Sequence, residues 1–426
     1  MIRQLLKTSF YKIKVYIKTH IIQPLDVHII QPRYLKIINE KRNILLANKK
    51  IRVAFFVTQK QLWCAQSVYD NFLANDNFKP TIVVFPNGED KINNAIITTQ
   101  DNYSFFKKKN MNVMYGFDIK NQSFLSVDAI NADVIFYDQP HPWLPKKLLF
   151  FETSKKSLLC YIPYGYKVAN AYEAHFNMPL QNSCWNVFVE SSWHQQQFKK
   201  YAIMQGRNTI VSGYPKLDAY NNKKNTANQK INNLKRIIWA PHWTIDDLGI
   251  SYSTFKDNYK FFLKYAAENP DIYWIFKPHQ RLRYYLEETG FMSKKEVDLY
   301  YSSWESLANT SFYNESDYFD LFQASDALIT DCGSFLAEYL PTQKPILLLV
   351  NKRSGGYNEM GEKLIKSYYR SDKNDDIKSF IENVVINKND YLKEKRLENL
   401  YLVQPNKNGA GKFIVDYIQK ELKVVA

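Results

Sequence analysis

The chain has 426 residues, of which 45% are hydrophobic and 23% charged, a balance that excludes a disordered or fibrous protein and leaves room for two cores. Lysine and arginine outnumber aspartate and glutamate 57 to 42, and the net charge of +15 suits a polyanionic partner; with no zinc-knuckle, KH or RRM signature, nucleic acid is not the expected one. Cys64, Cys160, Cys184 and Cys332 lack CxxC spacing, which argues against a disulfide framework or metal cluster and fits a reducing cytoplasm.

Residues 1–48 stand apart from the rest. Ile2, Leu5, Leu6, Phe10, Ile13 and Ile17 recur at helical spacing, while Arg3, Lys7, Lys14 and Lys18 fall on another face. Such a basic amphipathic helix is expected to lie on an anionic membrane surface, the alternative being a helix packed on the protein itself. Pro24 and Pro32 are expected to break the pattern. No apolar run approaches the ~18 residues that span a bilayer, and lysines interrupt any signal-peptide core. The expected location is peripheral, on the cytoplasmic face of the membrane.

From residue 49 strand-like and helix-like stretches alternate. Residues 51–57, 81–85, 133–137, 158–162 and 186–190 read as buried parallel strands, and a second series occupies 236–240, 272–277, 326–330 and 345–350. Two such series imply two doubly wound α/β domains, expected at 49–220 and 221–405, with a polar linker at 221–235 and a C-terminal helix over 406–426. No internal repeat stands out.

Ligands of such sheets bind at the carboxyl ends of the strands, so the residues just past each strand are informative. Pro241-His242-Trp243-Thr244 succeeds the first strand of the second series, Pro278-His279-Gln280-Arg281 the next, and Asp331-Cys332-Gly333-Ser334 the third. A helix starting near Gly333 would offer N–H groups and its dipole to a diphosphate. Thr330, Asp331, Gly333 and Ser334 are the candidate turn, Glu338 is one helical turn beyond for ribose hydroxyls, and Lys277 and Arg281 supply positive charge. In the first series, Asp138 and His141 lie just past the 133–137 strand and are the candidate bases for an attacking hydroxyl, with His242 and His279 on the phosphates. Pro163-Tyr164-Gly165-Tyr166-Lys167 succeeds the 158–162 strand.

Together these residues resemble the CDP-glycerol glycerophosphotransferase family of teichoic-acid and capsule polymerases. Gly213-Tyr214-Pro215-Lys216-Leu217-Asp218 is similar to the family's G-x-P-R-x-D, Ala240-Pro241-His242-Trp243-Thr244 to its A-P-T-aromatic-R, Lys277-Pro278-His279 to its basic-x-H-P, and 326–334 to its D-x-L-I-T-D-Y-S-S. Tyr164 stands where the family has a histidine, Thr244 and Lys216 where it has arginines, and Gly333 in place of a serine. The resemblance implies a GT-B fold, with two Rossmann-like domains facing across a cleft. It implies a CDP-linked donor bound by the C-terminal domain, with Lys216 among the phosphate ligands and no metal. A lipid-linked or growing glycan is the implied acceptor on the N-terminal domain, with Tyr164 and Lys167 on that side. A nucleotide-sugar transferase of the same fold is the alternative, and a scaffold without chemistry the third reading.

Overall fold

A computed structural model describes residues 23–47, 49–87, 92–221, 234–245, 250–403, 406 and 408–423. The expected membrane helix over residues 2–18, and most of the expected linker, lie outside the described residues. The chain forms two compact units, the first of residues 1–165, 172–218 and 405–426, the second of 166–171 and 219–404.

Among the described residues the first unit contains β1 (Ile51–Val57), β2 (Phe78–Val84), β3 (Val113–Tyr115), a short hairpin of β4 (Phe117–Asp118) and β5 (Ser123–Phe124), β6 (Val134–Tyr137), β7 (Leu158–Tyr161), β8 (Asn186–Val189) and β9 (Thr209–Val211). All but the hairpin form one parallel sheet ordered β3-β2-β1-β6-β7-β8-β9. β1 is buried on both faces because helices cover both sides of such a sheet. The second unit contains β10 (Lys235–Ala240), β11 (Ile272–Phe276), β12 (Thr310–Phe312), β13 (Ala327–Thr330), β14 (Ile346–Leu349) and β15 (Tyr369–Ser371), ordered β12-β11-β10-β13-β14-β15. In both units the order reverses beside the first strand, the switch point at which doubly wound sheets bind ligands.

The sheets echo each other in detail, although no internal repeat is visible in the sequence. β6 is preceded by Asp133 and succeeded by Asp138; β13 is preceded by Asp326 and succeeded by Asp331. Each leading carboxylate takes the backbone N–H of the second residue of the central strand at 2.8 Å, Arg52 on Asp133 and Arg236 on Asp326. Asp133 also binds the Arg52 guanidinium and, at 2.9 Å, Lys41. Burial works against its charge, but these partners hold the carboxyl below its usual range.

The Gln23–Leu46 helix runs unbroken through Pro32, contrary to expectation. Its buried stripe of Val27, Ile30, Tyr34, Ile37 and Lys41 offsets the lost hydrogen bond, and the Tyr34 hydroxyl reaches the Ser183 carbonyl at 2.6 Å. Residues 23–46 of the expected membrane segment are therefore a packing element of the first unit. The C-terminal helix, Ala410–Leu422, also joins that unit. Asp218 caps it, accepting the N–H groups of Ala410 at 2.9 Å and Gly411 at 2.7 Å and the Ser67 hydroxyl at 2.7 Å. A Cβ at Gly411 would stand 2.6 Å from the Ser67 backbone, so this contact needs glycine.

Candidate active site

Apart from Lys216, the expected nucleotide residues lie in the second unit, around its switch point. The turn after β13 is more self-contained than its sequence suggests. Thr330, fully buried, donates its hydroxyl to the Ala240 carbonyl at 2.6 Å and accepts the Cys332 N–H at 2.9 Å. Asp331 accepts the His242 N–H on Oδ1 and both the Thr254 N–H (2.6 Å) and hydroxyl (2.8 Å) on Oδ2. Burial nevertheless pushes its carboxyl up to about 6. Both residues shape the turn, and neither is placed to hold a phosphate: their hydrogen-bonding groups are already used, and Asp331 would repel an anion. The next helix, Gly333–Glu338, has six residues, so its dipole is small. Half-buried Ser334 is the hydroxyl of the turn exposed to a ligand. Gly333 is fixed by space, since a Cβ there would meet Val168 Cγ2 at 3.0 Å.

Charge comes to this turn from the side. The Lys277 ammonium sits over the Tyr318 ring at 4.5 Å and 5.7 Å from that of Phe335, a residue of the turn helix. The Tyr318 hydroxyl donates to the buried Glu338 carboxylate, whose backbone carbonyl takes the Tyr220 hydroxyl at 2.7 Å. Arg281 stacks on Trp243 at 4.8 Å. The imidazoles of His242 and His279 lie 5.4 Å apart. Burial lowers His242 to about 3; His279 is held well below its usual range by burial and then by His242, Lys277 and Arg281. Both are neutral at pH 7, so each can offer a hydrogen-bond donor but no positive charge. Their Nδ1 atoms accept the Thr244 and Arg281 backbone N–H groups, at 3.3 and 3.2 Å, which assigns the proton to Nε2.

Lys167, expected on the acceptor side, belongs to the second unit instead. Its carbonyl takes the Asn358 amide at 2.9 Å, and the next residues pair with Tyr357 and Asn358. Lys216, expected among the phosphate ligands, belongs to the first unit, in the short helix Pro215–Asn221 that carries the Asp218 cap.

In the first unit Asp138 stands just past β6 as Asp331 stands just past β13, with one difference. Its Oδ2 takes the Thr58 N–H (2.6 Å), the Thr58 hydroxyl (2.9 Å) and the Gln59 N–H (3.3 Å), while Oδ1 takes no hydrogen bond among the described residues. A cavity of about 20 Å³, room for one water, adjoins it between Phe55, Trp63, Cys64 and Ile162. Burial pushes the Asp138 carboxyl up to about 6 against the three donors. An open oxygen with a pKa just below neutrality is what proton abstraction at pH 7 needs. His141 stacks on Trp143 with ring centres 5.2 Å apart, and the Tyr164 carbonyl accepts the Tyr214 hydroxyl at 2.9 Å. Thr58, Tyr220, Thr254 and Tyr318 escaped the sequence reading because they act through partners far away in sequence.

Two parallel sheets with these strand orders define a pair of Rossmann-like units of the GT-B kind. The solved wall teichoic acid polymerase TagF has this fold (one structure of it gives TM-score 0.59 at 15% identity over 92% of this chain and 97% of that one). So does the UDP-GlcNAc 2-epimerase from Neisseria meningitidis bound to UDP-GlcNAc, with TM-score 0.54, 15% identity, and 87% and 100% coverage. Residues 165–358 match the family described as CDP-Glycerol:Poly(glycerophosphate) glycerophosphotransferase. The teichoic acid poly(glycerol phosphate) polymerase of Staphylococcus epidermidis is 25% identical over 371 residues, covering 75% of this chain. The chain spans about half, 49%, of the length of that curated relative. Asp138 lies outside the span matched by the family.

Proposed function

We propose that the protein transfers glycerol phosphate, or a similar polyol phosphate, from a CDP-linked donor to a hydroxyl of a lipid-linked or growing cell-surface glycan. The observation that carries this is the open Oδ1 of Asp138 at the switch point of the first unit. The family match over 165–358 names the donor class. The second unit holds the donor: Ser334, Lys277, Arg281 and the Nε2–H groups of His242 and His279 serve the diphosphate, and Glu338 the ribose.

The acceptor hydroxyl gives its proton to Asp138 as its oxygen bonds to the glycerol-bearing phosphorus. The bond from that phosphorus to the CMP oxygen breaks, and its electron pair leaves with CMP. Lys277 and Arg281 offset the charge on the departing phosphate. Asp138 then returns the proton to water. The charge is handled by side chains of this chain, so a chelator should leave the rate unchanged.

Among the described residues no helix is long and apolar enough to cross a membrane. A lipid-linked acceptor lies at a membrane, and the basic and apolar side chains that the sequence places between residues 2 and 18 suit an anionic surface. Loss of liposome binding on deleting residues 1–20 checks this point.

The test is CMP release from CDP-glycerol by the full chain with a glycerol phosphate oligomer as acceptor. Acceptor-dependent release supports the function. Release of UDP or another nucleotide from a nucleotide sugar, with CDP-glycerol untouched, would replace it with sugar transfer, which Gly333 and Glu338 also suit.

A further inference from the structure

Three buried side chains of the first unit carry polar atoms that have left water without gaining a partner. Among the described residues both carboxylate oxygens of Glu190, Oε1 of Gln139 and the Tyr161 hydroxyl make no hydrogen bond, and the three residues are exposed by 1%, 3% and 0%. Folded proteins leave few such groups, because each costs about 1–3 kcal/mol. Other orphaned atoms of the unit, on Gln23, Arg42 and Asn186, lie on the Gln23–Leu46 helix and at the far end of β8. These three sit at the carboxyl ends of consecutive strands: Gln139 two residues past β6, Tyr161 ending β7, and Glu190 just past β8. β6 pairs with β7 and β7 with β8, so at about 4.8 Å per strand the three ends span roughly 10 Å. The groups also feel one another. Burial raises the Tyr161 phenol well above its usual range, and Tyr164, Cys64, Glu190 and Asp138 add to the rise.

The chemistry of the missing ligand comes from the set. Glu190 and Gln139 Oε1 offer acceptors, and Tyr161 can donate or accept, so the ligand must bring several O–H or N–H donors. A phosphate would meet the Glu190 and Asp138 carboxylates as like charge, and a cationic ligand is disfavoured by the +15 of the chain. A neutral polyol satisfies both conditions. Resting on the acceptor role proposed above for this unit, we propose that Glu190, Gln139 and Tyr161 form a hydroxyl-binding subsite that takes the uncharged diol end of the acceptor and rejects a phosphate-terminated end.

The test is calorimetric binding to the full chain of two synthetic tri(glycerol phosphate) oligomers, one ending in a free 1,2-diol and the other in a phosphate monoester. The wild type should prefer the diol end by at least about tenfold, and Tyr161→Phe and Gln139→Ala should each weaken diol binding by about three- to tenfold. Glu190→Gln, which keeps the shape, should narrow the preference by admitting the phosphate end. Circular dichroism confirms that each variant is folded. Equal binding of the two oligomers by the wild type, or wild-type discrimination in folded Glu190→Gln and Tyr161→Phe, overturns the subsite and leaves the groups to buried water. Binding is read without donor or turnover, so the two ideas fail separately. Diol discrimination without CMP release would keep the subsite and sink the transferase; CMP release with unaltered discrimination in the variants would do the reverse.

Discussion

The two switch points use one design for two purposes. In each, an aspartate just past the strand beside the central one reaches across to an N–H group just past the central strand, and burial pushes its carboxyl up to about 6. Asp331 spends both oxygens on His242 and Thr254, so it closes a turn. Asp138 spends only Oδ2, on Thr58 and Gln59, and keeps the other oxygen open among the described residues. A carboxylate with every lone pair directed at its own chain is structure; one with an oxygen to spare can do chemistry. The leading carboxylates differ the other way, Asp133 being fully buried among Arg52 and Lys41 while the Asp326 side chain is 36% exposed beside Lys235.

Matched aspartate-to-asparagine substitutions separate the two purposes. Asp138→Asn retains an oxygen for the three donors and removes the proposed base; turnover should fall by about 10²–10⁴-fold with the unfolding midpoint in urea unchanged. Asp133→Asn removes the partner of two cations at a buried site and should cost about 3–5 kcal/mol in the same unfolding experiment. Asp331→Asn places an NH₂ against the N–H of His242 or the donors of Thr254. It should cost about 1–3 kcal/mol, and the fraction still folded should keep its turnover on saturating donor. Asp326→Asn should cost less than about 1 kcal/mol, because its ion pair is partly exposed. Equal stability losses at 138 and 331 would erase the distinction between them.

Much of this was legible from sequence, and the rest was hidden for physical reasons. The central strands announced themselves as apolar runs. β3, β9, β12 and β15 have three residues each, too short for any periodicity to show. Asp138 could be singled out as a polar residue ending a strand, but so could Asp331. What divides them is the placement of Thr58 and Thr254, 80 and 77 residues away in the chain. Glu190 read as the last residue of a strand, and no local pattern reports that a carboxylate will be left without a donor. Lys167 comes after a strand of the first series, yet its carbonyl takes the Asn358 amide in the second unit, a long-range choice that local sequence does not encode.

The most direct measurement is the pH dependence of kcat/KM for CMP release, since the donor diphosphate has no group titrating near neutrality. A base must be deprotonated to act, so the rate should rise with pH through about 6, the value to which burial lifts Asp138, and fall about tenfold per pH unit below it. The same break should persist in Asp331→Asn and vanish from the residual activity of Asp138→Asn. A flat profile between pH 5 and 8, or an unchanged break in Asp138→Asn, would contradict the assignment of Asp138 as the base.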